Sequence, residues 1–376
     1  MKREKALRIA LVVEVFDASK GGVERAVWEL ARAFVEMGDD VHVIAREGQE
    51  QPGVRLHRIP VSDSWQPLRV WLFSRTAARI IASESFDVVH GFSRTQSQDV
   101  FHAGGGSHLA YLKNNYSKIG AAIRRFSPRH RLQIHLERRI VGDSRQRIQC
   151  VSEMVRHEFL EYYSIDPRRL FVVPYGVDLE QFRPDQTTPT RIQLRNQWGG
   201  DPGTTWLFPG SNFRRKGLGT ALKALALSQD REAKLWVAGR DRPDRWQKQA
   251  AQLGLRDRVY FLGPRKNMEE LYAAADGVLL PTHYDAGALV GLETAASARP
   301  FVTSAHCGPA ELLAEAGAVI QVAEDASAFA AALDRFADAD ERARAGRRGR
   351  AIAEQHSWRK CAEALRTVYK EINVSE

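Results

Sequence analysis

The chain has 376 residues, 44% hydrophobic and 27% charged, a globular balance at a length that suits two domains. No apolar run approaches the roughly 20 residues that span a bilayer, and no signal-peptide pattern follows Met1. Three scattered cysteines (Cys150, Cys307, Cys361) form neither a disulfide framework nor a metal-spaced pair, so a cytoplasmic protein without bound metal is expected.

Residues 9–15 (IALVVEV) read as a buried strand. After the loop FDASKGG, Val23, Val27, Leu30 and Phe34 recur at helical spacing up to Gly38. Strands are expected next at 41–44, 54–59 and 86–90. IQCVS follows, with Ser152 placed to cap a helix, and 171–178 reads as a last strand and turn. Residues 183–190 (RPDQTTPT), polar and proline-bearing, read as a linker. Beyond it the alternation restarts. TWLFPG precedes a helix from Gly217, KLWVAG one near Trp246, and RVYFLG one near Met268. GVLLP precedes a helix from Gly287, PFVTS one from Pro309, and residues 326–372 are helical by composition. The pattern predicts an α/β fold of two doubly wound, Rossmann-like domains facing across a cleft. They are expected at 1–182, completed by a final helix over 357–376, and at 183–356. Ligands of such sheets bind at the carboxyl ends of strands.

The net charge of +9 is concentrated. Between Tyr111 and Arg147 lie Lys113, Lys118, Arg124, Arg125, Arg129, Arg131, Arg138, Arg139, Arg145 and Arg147, opposed by Glu137 and Asp143 alone. This stretch carries +8, so a partner dense in negative charge is implied. Ile119, Ile123 and Phe126 form one apolar stripe within it, and Leu132, Leu136 and Ile140 another. That combination fits an anionic bilayer surface, a solvated helix face or a nucleic-acid patch, although no nucleic-acid-binding module is recognisable.

Three loops carry candidate chemistry. Gly21 and Gly22, between the first strand and its helix, let backbone approach a ligand at a helix N-terminus, without the spacing of a dinucleotide fingerprint. Arg214, Arg215 and Lys216 follow the first strand of the second domain. Three cations opening a helix oppose its dipole unless an anion such as a diphosphate sits among them. Asp285 and Glu293 flank a small-residue stretch. With a helix from Gly287, Glu293 stands about two turns in, and the N–H groups of Gly287, Ala288 and Leu289 point to a phosphate.

Together GGVER, PYGVD, GSNFRRKG and YDAGALVGLETA resemble the GT-B glycosyltransferases of family 4 over nearly the whole chain, and within them the lipopolysaccharide core glucosyltransferases. The resemblance implies retaining, metal-independent transfer without a cofactor. The donor is a nucleotide sugar, UDP-glucose, and the acceptor a lipid-anchored oligosaccharide at the inner face of the cytoplasmic membrane. It also implies the membrane reading of the basic segment. A monomer is expected. Arg215 and Lys216 would neutralise the diphosphate, Glu293 would hold the ribose, and Asp285 would contact the hexose. Arg265 would hold the nucleobase, while Gly21 and Gly22 would approach phosphate and sugar. His102 stands where some relatives carry a cleft histidine, and a packed histidine is the alternative. One position departs from the family pattern: Asp285 stands where a glutamate is usual, shorter by one methylene. Alternatives are a family 4 enzyme with another acceptor, an exopolysaccharide lipid intermediate or a cytosolic sugar, and, more remotely, a nucleic-acid-binding protein.

Overall fold

The computed structural model describes residues 5–61, 65–184, 188–200 and 203–374. It comprises two compact units, residues 1–176 with 358–376, and residues 177–357. The boundary falls ahead of 182 because Val177 and Phe182 are buried in the second unit's core.

In the first unit, β1 (Arg8–Val12) leads through β2 (Val15–Phe16) to α1 (Gly22–Glu36), β3 (Asp40–Ala45), β4 (Glu47–Gly48) and β5 (Val54–Arg58). Then come α2 (Gln66–Ser83), β6 (Val88–Gly91), β7 (Val100–Ala103), α3 (His108–Asn115), α4 (Lys118–Arg125) and α5 (Pro128–Gly142). β8 (Arg147–Cys150), α6 (Glu153–Tyr162) and β9 (Leu170–Val172) complete the series. Seven parallel strands form one sheet in the order β5-β3-β1-β6-β7-β8-β9. Helices cover both faces, so Ile9 to Val12 are fully buried rather than alternating. The expected strand 9–15 stops at Val12, and residues 15 and 16 pair with β4 in a separate small sheet. Ser152 caps α6, its hydroxyl accepting from Val155 N–H at 3.3 Å.

The second unit runs α7 (Thr188–Gln197), β10 (Thr205–Pro209), α8 (Leu218–Leu227), β11 (Lys234–Ala238), α9 (Asp244–Gln252), β12 (Val259–Gly263) and α10 (Met268–Ala274). It continues with β13 (Gly277–Leu280), α11 (Leu289–Ala296), β14 (Phe301–Ser304), β15 (Gly317–Ile320), α12 (Ala326–Arg335) and α13 (Ala339–Glu354). Its six parallel strands follow the order β12-β11-β10-β13-β14-β15 around a core that includes Trp206, Trp236 and Tyr272. α14 (Trp358–Val374) belongs to the first unit, where Arg366 pairs with Asp39 and the Tyr369 hydroxyl meets His90 Nδ1 at 2.6 Å.

Two expectations are corrected here. The linker 183–190 is partly helical, since α7 begins at Thr188; residues 185–187 lie outside the described residues. No α-helix starts at Pro309, where only short 3-10 turns form at Gly308–Ala310 and Ala314–Ala316. The chain there is tied down instead: Gly308 N–H donates to the Asp285 carbonyl at 2.7 Å, and Pro309 packs tightly against Gly291. Among the described residues no helix is long and apolar enough to cross a membrane. All three cysteines are buried and free, and burial pushes the thiols of Cys307 and Cys361 up to about 12.

Candidate active site

In the second sheet, β10 has β11 on one side and β13 on the other, so the strand order reverses between β10 and β13. Crevices at such switch points, beyond the carboxyl ends of the strands, are where ligands of open α/β sheets bind. The turn after β10 and the loop after β13 meet there. Gly210 (φ 120°) and Gly217 (φ 80°) supply left-handed backbone, and a Cβ at Gly217 would strike the Pro281 carbonyl. Arg214, Arg215 and Lys216 therefore sit in a turn that precedes α8. The Asp241 carboxylate anchors this turn, accepting from Asn212 N–H (2.8 Å) and Phe213 N–H (2.7 Å).

The two loops are stitched together. Arg215 Nη1 donates to the Tyr284 carbonyl at 2.6 Å, while the Arg215 carbonyl accepts from His283 N–H (2.8 Å) and the Thr282 hydroxyl (3.2 Å). Lys216 forms a direct ion pair with Asp285, and Arg215 Nη1 lies 3.9 Å from the same carboxylate. Burial alone would raise the Asp285 carboxyl, but Lys216 and Arg215 outweigh it and hold it below the ordinary range. Two cations thus converge on one anion at the switch point. His283 also pairs with Glu324 at 2.9 Å, a contact that nothing in the sequence pattern marks.

α11 begins at Leu289 with Ala288 as its N-cap, two positions later than expected from Gly287. Glu293 consequently stands one turn into the helix rather than two. It is 9% exposed, and the buried Tyr272 hydroxyl of α10 donates to it at 2.7 Å. Sequence reasoning missed Tyr272, because an aromatic at a helical core position gives no functional signal. Arg265 follows β12, donates to the Leu262 carbonyl at 3.1 Å and stacks over Trp198 at 4.9 Å. Both line a groove of about 520 Å³ with Lys248, Arg256 and Tyr260. Among the described residues no group of three His, Cys, Asp or Glu is placed to hold a metal.

The remaining predicted residues lie in the first unit. Gly21 has extended backbone, and a Cβ there would meet the Glu24 carboxylate at 2.5 Å, so this side chain folds back over the loop ahead of α1. Gly22 is the first residue of that helix. His102 lies within β7, and it is packed. It is 2% exposed, with Nδ1 2.7 Å from Gln149 Oε1 and Nε2 2.9 Å from the Tyr175 hydroxyl. Burial pushes it down to about 4, leaving a neutral ring at pH 7.

The basic segment divides. On α4, Ile119, Ile123 and the following Phe126 are 66–78% exposed beside Arg124 and Arg125. The second stripe is mostly core: Leu136 and Ile140 are at most 2% exposed and Leu132 is half-buried, because α5 turns that face inward. Periodicity identified an apolar face but not what covers it. Lys113 pairs with Glu161 and Arg147 with Glu371, acids from outside the segment. Arg124 stacks over Tyr116 at 4.1 Å. Arg125, Arg129, Arg131, Arg138 and Arg139 are exposed, and the Lys118 side chain lies outside the described residues.

The family model Glycosyltransferase Family 4 matches residues 20–181, and Glycosyl transferases group 1 matches 193–352. A Burkholderia thailandensis protein described as "Probable transglycosylase" is 30% identical over 337 residues, 87% of this chain and 85% of that protein. The chain belongs to glycosyltransferase family 4. The lipopolysaccharide glucosyltransferase WaaG of Escherichia coli (strain K12) is 26% identical over 311 residues, covering 81% of this chain and 82% of WaaG. A D-inositol 3-phosphate glycosyltransferase of Frankia alni is 29% identical over 360 residues, covering 84% and 86%. The crystal structure of WaaG superposes with a TM-score of 0.82 at 23% identity, over 96% of this chain and 99% of that one. Anabaena HepE in complex with UDP and glucose gives 0.73 at 17%, over 97% and 99%. These structural likenesses show the GT-B fold. As a family 4 member the chain is a glycosyltransferase, and it is similar to the lipopolysaccharide glucosyltransferase.

Proposed function

We propose that the enzyme transfers glucose from UDP-glucose, with retention and without a metal, onto a heptose of the lipopolysaccharide inner core at the cytoplasmic membrane face. The convergence of Lys216 and Arg215 on the Asp285 carboxylate carries this reading. A donor diphosphate presents negative charge at the same switch point, and two fixed cations stabilise it as a leaving group where other transferases use a metal. Asp285 is then released toward the hexose. Glu293, oriented by Tyr272, accepts from the ribose hydroxyls. The N–H groups of Gly287, Ala288 and Leu289 at the start of α11 face the phosphates, Arg265 holds the base, and Gly21 and Gly22 serve phosphate and sugar. His102, neutral and packed, supports the first unit's sheet. No cofactor beyond the nucleotide sugar takes part, and the enzyme acts as a monomer.

The exposed apolar face of α4 and the cations around it support docking on an anionic bilayer, at about 1 kcal/mol per basic residue near the lipid. Such docking brings the enzyme to a lipid-anchored acceptor; nucleic acid binds only as a generic polyanion. The D-inositol 3-phosphate glycosyltransferases match at similar identity, so inositol 3-phosphate is the rival acceptor. Transfer assays with UDP-glucose, UDP-galactose, GDP-mannose and ADP-glucose, each with core-truncated lipopolysaccharide or inositol 3-phosphate, test the reading. UDP-glucose with the truncated lipopolysaccharide should be the productive pair. Transfer confined to inositol 3-phosphate would replace the acceptor.

A further inference from the structure

The open edge of the second sheet carries a groove that the donor chemistry meets only at Arg265. β12 ends the strand order, two strands away from the β10–β13 reversal, so one of its sides is unpaired. Leu235 and Val237 of β11 stand in register with Val259 and Phe261, and Leu235 N–H donates to the Arg258 carbonyl at 2.8 Å. In a parallel ladder of that register, Tyr260 and Leu262 turn their main-chain groups to β11, and Val259 and Phe261 turn theirs outward. None of the described residues bonds to those outward groups. The groove of about 520 Å³ runs along this edge. Four consecutive residues, Val259 to Leu262, line it; a groove over one face of a strand would meet only every second one, because side chains alternate between faces. Four strand residues span about 13 Å, the reach of a short extended segment. Lys248 of α9, Arg256 and Arg265 also line the groove, all three exposed, and no acidic side chain among the described residues does. None of the three is paired with an acid among the described residues. A small anion would satisfy these cations but has no donors for the Val259 and Phe261 carbonyls. A second extended backbone satisfies both the N–H and the C=O groups of an open edge, and unopposed cations select an acidic one.

We propose that the β12 edge docks an acidic, extended segment of a partner protein by strand addition, with Val259 and Phe261 forming the main-chain ladder and Lys248 and Arg256 holding its carboxylates. The full-length, isotope-labelled protein is titrated with octapeptides that alternate glutamate with valine or threonine, and with the same peptides carrying lysine for glutamate. Affinity is read by fluorescence anisotropy and amide exchange by NMR. The acidic peptides should bind and the lysine ones should not, and salt should weaken the binding as it screens the charges. In the complex, exchange of the Val259 and Phe261 amides should slow by about tenfold or more, while Tyr260 and Leu262, already bonded to β11, should hold. A strand pairs through one edge, so N-methylation of every second peptide amide should abolish binding in one phase and be tolerated in the other. Lys248→Glu combined with Arg256→Glu should weaken the acidic peptides by about tenfold or more. Both side chains are exposed, so the variant's thermal midpoint should equal the parent's. Unchanged affinity in that folded variant, equal binding of the two N-methylated sets, or no added protection at Val259 and Phe261 overturns strand addition. No peptide bound by the parent overturns it as well, and makes the cations guards of a bare edge. UDP that shifts the Val259 and Phe261 signals and displaces the peptide would assign the groove to the nucleotide and overturn the docking.

Discussion

Replacing Lys216 by alanine probes the site's electrostatics in two independent ways. The Lys216 and Asp285 side chains are 8% and 16% exposed, and the nearest remaining cation, Arg215, is 3.9 Å away. Removing one partner of a buried ion pair costs about 3–5 kcal/mol. Retention of Arg215 puts the expectation near the lower end. For a unit of this size each kcal/mol moves the midpoint by about 2–4 °C, so the second unit's transition should fall by roughly 6–12 °C at pH 7.5. The pH dependence should also change sign. In the parent the Asp285 carboxyl is held below its unfolded value, so the pair's stability is complete above about pH 4 and is lost as pH falls through the folded value. Without Lys216, burial dominates and the folded value rises above the unfolded one. Stability then falls as pH rises through that window, and the variant's deficit should shrink between pH 7.5 and pH 5. Asp285→Asn in the same background should recover much of the loss. Turnover, measured below the transition, should still drop by about a hundredfold or more, because the diphosphate loses a fixed cation. Differential scanning calorimetry with a parallel transfer assay reads all of this. A variant that melts with the parent at pH 7.5, or a double variant that recovers nothing, would refute the buried-pair reasoning.

The two acids should separate in a UDP titration by calorimetry: Glu293→Ala weakens UDP binding, whereas Asp285→Ala lowers turnover and spares UDP affinity. Equal affinity losses would show the roles wrongly assigned. Activity should survive excess chelator, since Arg215 and Lys216 supply the positive charge, and strict dependence on a divalent ion would defeat that mechanism. Replacing Arg124, Arg125, Arg138 and Arg139 by Gln should release the protein from anionic vesicles, and salt should weaken the parent's binding as the Debye length shortens below about 10 Å. Undiminished flotation of the quadruple variant, or none by the parent, would favour a solvated face.

The alternation of apolar β-branched runs with helical periods made the two sheets legible, because buried parallel strands read as continuous apolar stretches. β10, β11 and β13 followed directly from TWLFP, KLWVA and GVLL. β7 was obscured: it is four residues long and carries His102, whose burial depends on Gln149 and Tyr175 from distant segments. The Pro309 helix failed for a tertiary reason, the tie between Gly308 and the Asp285 carbonyl. In the candidate site, loop composition and strand ends pointed to Arg215, Lys216 and Asp285 but not to their pairing. That pairing needs the turn after β10 and the loop after β13, far apart in sequence, to meet at a strand-order reversal.

The most direct test of glucose transfer with retention is the anomeric configuration of the product. UDP-α-glucose labelled at C1 is incubated with the purified enzyme and heptose-terminated lipopolysaccharide, and the new linkage is read by the C1–H1 coupling in NMR. The account predicts an α-glucoside on heptose. A β-glucoside, or label released only as free glucose in the presence of that acceptor, would contradict it.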